Sequence, residues 1–268
     1  MRVVVIGHRG AGKTALIASG IAGLRQLAGS QVRMSPPDRW RVQRTARQVA
    51  AGRPVPATRS ARVIALTLAG DTRPALTVAI HDQAGDAVGS ADRPPARRLA
   101  ADLAAADALI VVISAADLGQ PGVRLSRCRT LAVPVRRAAA PRDAAARLRA
   151  VAVAVTGVAE DRDGALADLA APFDGLETSM SALVAGATIG LSRGLAPLPA
   201  ALPLLWCISR WAAGSPGPAA AAWQDPMWDW CGQAWQAAGP GRYAWPPPGG
   251  ARRVTRWCPA AAGPAARP

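Results

Sequence analysis

Apolar residues in this chain come in short unbroken runs separated by longer mixed stretches. Arg2-Val3-Val4-Val5-Ile6, Leu109-Ile110-Val111-Val112-Ile113 and Val151-Ala152-Val153-Ala154-Val155 lack the alternation of a half-solvated strand. They read as strands buried on both faces. The apolar residues from Ala15 to Leu24 and the alanine-rich stretch 97–106 suit helices packed on a sheet. Val63 to Leu68 and Leu76 to His81 flank a Gly70-Asp71-Thr72-Arg73-Pro74 cluster, the signature of a hairpin. Leu204-Leu205-Trp206-Cys207-Ile208 is a last strand candidate. Strands alternating with helices predict an α/β fold: a mostly parallel sheet, helices on both faces, and one antiparallel edge strand from the hairpin.

A final helix has sharp sequence ends. Asp225 is a good N-cap, Pro226 fits the first turn, Asp229 suits the positive end of the dipole, and Gly239-Pro240 stops the pattern. Trp228, Cys231 and Trp235 recur at helical spacing; such a stripe faces a core, and a partner-docking surface is the alternative. Beyond it the chain is rich in Pro, Gly, Ala and Arg without periodicity. The expected organisation is one domain over 1–238 and a disordered tail over 239–268.

Between the first strand and the first helix lies Gly7-His8-Arg9-Gly10-Ala11-Gly12-Lys13-Thr14, which matches the phosphate-binding pattern G-x-x-x-x-G-K-[ST] at every fixed position. Lys13 is the only lysine among 32 Lys plus Arg. A composition that favours arginine so strongly has kept a slim ammonium here, where a loop wrapped around phosphate leaves little space for a planar guanidinium. The glycines let backbone N–H groups reach the phosphates, and the helix that follows presents its positive end.

The rest of the composition narrows the function. A net charge of +15 would suit nucleic acid or an anionic membrane. The chain has no asparagine, one Phe and one Tyr, as very GC-rich coding gives, and its arginines are dispersed, so no dedicated nucleic-acid role is expected. Cys128, Cys207, Cys231 and Cys258 form no C-x-x-C, which predicts reduced thiols rather than a zinc site or disulfide framework. The apolar stretch 181–209 is broken by Arg193 and three prolines, so no membrane span is expected. The first strand begins at Arg2, and no signal peptide is expected; the predicted location is cytoplasmic.

A triphosphate loop needs a metal-holding acid. Asp82 ends the second hairpin strand in Asp82-Gln83-Ala84-Gly85, where the carboxylate can hold Mg²⁺ through a water and the Gly85 N–H can sense a γ-phosphate. Asp117, four residues past the strand ending at Ile113, is the rival acid and has no glycine sensor after it. Thr58, in Gly52-Arg53-Pro54-Val55-Pro56-Ala57-Thr58, sits on a stiff extended loop suited to present a hydroxyl to Mg²⁺ and γ-phosphate; an ordinary turn threonine is the alternative.

The order of P-loop, Trp40, Gly52-x-Pro54-x-Pro56-x-Thr58, two strands and Asp82-x-x-Gly85 resembles the prokaryotic double-GTPase family, translation-factor-like P-loop GTPases of bacterial conflict and signalling operons. The resemblance covers roughly 1–238. It implies a GTP-binding switch with Lys13 on phosphate, Thr14, Thr58 and Asp82 around Mg²⁺, and Gly85 as sensor. Thr156 matches the first position of the guanine-reading [NT]-K-x-D, but the lysine and aspartate are missing, and Asp161 falls two residues late. Ser209 resembles the serine of the last base-contacting loop. Asp86 stands where many switch GTPases have a water-orienting glutamine, and Arg9 either neutralises charge in cis or is solvated. The expected function is slow GTP hydrolysis controlling a partner protein, with an arginine-donating activator contributing roughly 10³–10⁵-fold. A non-hydrolysing nucleotide scaffold and a P-loop kinase, with 124–149 as its lid, are the alternatives.

Overall fold

The protein is described by a computed structural model covering residues 1–57, 60–88, 94–139, 148–158, 185–192, 195–215 and 217–238. Within these, seven strands build one sheet: β1 (Arg2–Gly7), β2 (Val32–Met34), β3 (Arg62–Leu68), β4 (Leu76–Asp82), β5 (Ala108–Ser114), β6 (Ala150–Val158) and β7 (Ala185–Ser192). Their spatial order is β2-β3-β4-β1-β5-β6-β7. From β4 to β7 every pairing is parallel. The expected hairpin forms in register from Arg62↔Asp82 to Leu68↔Leu76, and the short β2 adds antiparallel to β3 at that edge.

β1 lies in the middle and shows why the sheet is covered on both sides. Val3 and Val5 join one core cluster, Val4 and Ile6 the other, and all four are 0 % exposed. Each such burial contributes about 1.5–3 kcal/mol relative to an exposed position. The first cluster includes α1 (Lys13–Ala28), α2 (Pro36–Ala50), α6 (Pro197–Gly214) and α7 (Pro218–Ala238). The second gathers α3 (Pro94–Ala104) and α5 (Pro121–Ala139), with α4 (Ala115–Leu118) joining β5 to α5.

Two expectations change. Leu204 to Ile208 is not a strand but the middle of α6, buried throughout. A five-residue apolar run cannot distinguish a buried strand from a buried helix. Here α6 lies directly on α1, because Gly20 and Gly23 present no side chains. A Cβ on Gly20 would stand 2.7 Å from the Ala200 carbonyl oxygen, and one on Gly23 would collide with that of Pro197. Second, α7 begins at Pro218, so Asp225 is not its N-cap and Pro226 lies inside the helix. The alanines before Trp223 are strong helix formers and carry the helix further towards its N-terminus. Trp223 donates its Nε1–H to the Pro74 carbonyl at 2.7 Å, fixing α7 to the β3–β4 turn. The tail expected over 239–268 lies outside the described residues.

Candidate nucleotide site

β1 delivers the chain to the C-terminal edge of the parallel strands, where open α/β sheets hold their ligands. Gly7 passes so close to the Val112 carbonyl on β5 that a Cβ would collide with it. Gly10 and Gly12 then take left-handed backbones, φ 84° and 85°, and Gly12 becomes the N-cap of α1. Side chains other than glycine adopt those angles at a cost, so the two glycines set the loop's curl.

Lys13 folds back over this loop. Its Nζ donates to the Gly7 carbonyl at 2.8 Å and the His8 carbonyl at 3.0 Å. Burial lowers its pKa below the ordinary lysine value, opposed by the carboxylates of Asp82 and Asp86. A cation held in a partly dry cradle beside a helix N-terminus is a receptor for phosphate. Thr14 donates its hydroxyl to Asp82 Oδ2 at 2.8 Å. Asp82, 2 % exposed, is placed there by the β1–β4 register, which sets it opposite Val5. A hydroxyl and a carboxylate are hard oxygen donors and suit Mg²⁺.

Gly85 seats directly on the P-loop. A Cβ built on it would stand 2.5 Å from Arg9 Cα. The structure thus joins Thr14, Asp82 and Gly85 to the phosphate loop at one end of a pocket of 430 Å³. Arg9, Gly10, Gly12, Lys13 and Thr14 line that pocket, and the segment 52–57 forms its opposite wall. Thr58 lies outside the described residues, one position beyond Ala57. Asp86 is exposed, and Gln83 turns away to donate its Nε2–H to Asp102 on α3 at 2.7 Å. Asp117, the rival acid, lies on α4 and does not line the pocket.

Two P-loop contacts run to elements beyond β1. His8 Nε2 lies 3.2 Å from the Arg127 carbonyl of α5, and since a carbonyl only accepts, Nε2 carries the proton. Burial lowers the His8 pKa, partly offset by that hydrogen bond. At the far side, Thr156 on β6 shares its hydroxyl between the Ala11 carbonyl at 2.9 Å and the Ile113 carbonyl at 3.3 Å. Thr156 therefore both lines the pocket and braces the loop.

The base side departs from expectation. Ser209 does not reach the pocket: it lies buried in α6, donating to the Leu205 carbonyl at 2.8 Å, with Cys231 Sγ at 3.4 Å. Residues 204–208 are helical, so no strand-end loop carries Ser209 to the pocket. The pocket wall there is Gly157 and Leu195, the latter shortly after β7 and in a left-handed conformation, φ 42°. Gly157 follows Thr156 in the stretch that matches the guanine-reading motif's place, whereas Leu195 carried no sequence signal, because β7, with three glycine or alanine residues in its first three positions, looks unlike a strand. Asp161 lies outside the described residues. No three His, Cys, Asp or Glu side chains cluster as a further metal site among the described residues.

The fold is a mostly parallel α/β sheet whose central strand leads through a phosphate-binding loop into the first helix. No protein-family model matches the chain, and no curated protein matches its sequence. Among solved structures, the Arl6 BBS3 small GTPase of Trypanosoma brucei with bound nucleotide analogue GppNp aligns at 14 % identity and TM-score 0.44, over 80 % of this chain and 99 % of that one. The Ski7 GTPase-like domain of S. cerevisiae, bound to GDP and inorganic phosphate, aligns at 11 % identity and TM-score 0.42, over 73 % and 43 %. The mammalian SRP receptor aligns at 13 % identity and TM-score 0.41, over 74 % and 94 %. None of these three is a prokaryotic double-GTPase. Among the described residues no helix is long and apolar enough to cross a membrane.

Proposed function

We propose that this chain is a nucleotide-dependent molecular switch that binds GTP with Mg²⁺, hydrolyses it slowly and controls a partner protein. The observation that carries the reading is the junction of Asp82–Gly85 with the phosphate loop, through the Thr14–Asp82 hydrogen bond and the seat of Gly85 on Arg9. Lys13 and the first N–H groups of α1 would hold the phosphates. Thr14, Asp82 and Thr58 would hold Mg²⁺, which supplies charge neutralisation on the phosphate oxygens. Gly85 and Thr58 would both meet a γ-phosphate, so diphosphate and triphosphate would bias the segments that carry them differently.

Slow turnover follows from Asp86. A short exposed carboxylate orients water less well than a glutamine and adds negative charge beside the γ-phosphate, so an arginine from a partner would accelerate the reaction. A second reading, a scaffold that binds nucleotide without hydrolysing it, rests on the same Asp86. The narrower resemblance to double-GTPases and a cytoplasmic location remain part of the proposal.

Calorimetry with non-hydrolysable GTP and ATP analogues in Mg²⁺ tests binding, and single-turnover hydrolysis separates switch from scaffold. Hydrogen exchange over 53–57 and 82–88 tests the switch itself. Slower exchange with triphosphate than with diphosphate is expected. Equal exchange in both states would leave the nucleotide as a structural cofactor.

A further inference from the structure

The first helix to leave the sheet edge, α2, buries only Val42 and Val49 of its fifteen residues. Its outer face is basic and carries Trp40, 61 % exposed and the only large aromatic exposed to that degree among the described residues. The Arg44 guanidinium sits 5.2 Å over the Trp40 ring, an i,i+4 pairing that holds both side chains in place. Ordering an apolar ring in water gives nothing back unless something covers it.

A cleft of 380 Å³ runs along this face, lined by Trp40, Arg44, Arg47 and Arg53, with Gln43 and Gln48 between them. The one acid of the helix, Asp38, is already engaged: it accepts from Ser35 at 2.8 Å and pairs with Arg41 at 3.0 Å. No carboxylate among the described residues pairs with Arg44, Arg47 or Arg53. The cleft therefore offers three guanidinium forks, each able to take a carboxylate in bidentate fashion, beside one aromatic face.

Arg53 belongs to two places at once, lining both this cleft and the nucleotide pocket. Its position is fixed by the end of α2. Gly52, φ 65°, donates to the Val49 carbonyl at 2.9 Å, and Arg53 donates to the Gln48 carbonyl at 2.8 Å. Those two bonds close a Schellman motif, so Arg53 cannot shift without unwinding the last turn. Pro54 and Pro56 then lead stiffly towards Thr58.

We infer that the Trp40–Arg44–Arg47–Arg53 face is a docking site for an acidic protein segment, with carboxylates on the arginines and an apolar side chain against Trp40. A nucleic acid fits less well. Single strands are tracked over about four nucleotides or more by a basic groove, whereas this cleft is confined to the surface beside one helix. The nucleotide dependence of docking rests on the proposed switch; the surface itself does not.

The test uses the full chain and a short labelled peptide alternating glutamate with leucine, followed by fluorescence anisotropy. The glutamine version of the peptide and an oligothymidylate of equal charge serve as competitors. The acidic peptide should bind best, and more tightly with the triphosphate analogue than with GDP. Trp40→Ala and Arg47→Glu should each weaken it by at least about tenfold, with nucleotide affinity by calorimetry unchanged. Wild-type peptide affinity in both variants, or tighter binding of oligothymidylate, would overturn the docking site. Equal affinity with both nucleotides would overturn the coupling through Arg53. Absence of nucleotide binding by the wild type would instead fail the switch, and the two variants would still decide the surface.

Discussion

The two ends of the nucleotide pocket are built by different means. At the phosphate end three polar side chains are already committed to the fold: Lys13 to the Gly7 and His8 carbonyls, Thr14 to Asp82, His8 to the Arg127 carbonyl. At the base end the wall is Gly157, Leu195 and a Thr156 whose hydroxyl is spent on bracing the loop. A preorganised cradle binds its ligand without reorganising, and a wall of backbone and small side chains discriminates little between bases. On the proposed reading, such a pair of ends would give strong triphosphate binding with weak base selection.

The largest effect should come from breaking the phosphate end at Lys13. Lys13→Ala removes the cation and should abolish Mg²⁺-nucleotide binding, a loss of at least about 100-fold, or 2.7 kcal/mol. Lys13→Arg keeps the charge and should fail as well, because the side chain is 6 % exposed and folds tightly over two carbonyls. Calorimetry measures both. An Lys13→Arg protein binding within about threefold of wild type would show that charge alone suffices.

Next come the metal acid and the sensor. Asp82→Asn removes one carboxylate charge while keeping an acceptor for Thr14. It should cost about tenfold or more in nucleotide affinity with Mg²⁺ and far less in EDTA. An equal loss in both buffers would assign Asp82 to structure. Gly85→Ala forces a methyl against the Arg9 backbone, which has no flexible side chain to yield. Overpacking of that kind costs about 1–3 kcal/mol and should appear in the urea midpoint as well as in nucleotide affinity.

That asymmetry also explains what could be read from the sequence. The phosphate end is written in a contiguous motif whose spacing is dictated by one turn geometry, so Gly7 to Thr14 could be placed at once. Asp82 was legible because a strand end fixes where its last residue points. The hairpin and the buried strands β1, β5 and β6 were legible because their apolar runs have clear ends. The base end depends on β7 and on which segment follows it, and neither has a periodic signature. An Ala/Gly-rich strand reads as a loop, while the more hydrophobic 204–208 drew the assignment to itself and turned out to be α6. α2 was missed for the opposite reason: with two buried residues it shows almost no apolar stripe, although Ser35 caps it and Pro36 opens it.

A smaller effect should sharpen the base end. Thr156→Val is nearly isosteric but removes the donor to the Ala11 and Ile113 carbonyls, so two acceptors lose their partner. A cost of about 1–2 kcal/mol in stability is expected, with affinity for GTP and ATP analogues lowered together. Wild-type discrimination between those analogues should stay below about tenfold. A much larger preference for GTP would mean that a carboxylate from the region around Asp161 reaches the base.

The smallest effect is on pH dependence and belongs to the phosphate end. Burial lowers the pKa of His8 from its ordinary value of 6.5; it also lowers that of His81, where Asp102 at 3.1 Å opposes the shift. Both histidines belong to the phosphate side, one in the loop and one preceding Asp82. A lowered pKa means the folded state holds fewer protons than the unfolded chain below pH 6.5, so folding stability is full above that value and falls as pH drops towards the folded-state pKa. The urea midpoint should therefore decline on acidification through 6.5. The decline should be shallower in His8→Gln and His81→Gln, whose amides keep a donor without titrating. Neither variant should remove the whole decline, because the Arg127 carbonyl and Asp117 oppose the shift at His8 as Asp102 does at His81. A midpoint equally pH-dependent in wild type and both variants would place the acid sensitivity elsewhere and leave the two histidines as neutral braces of the loop.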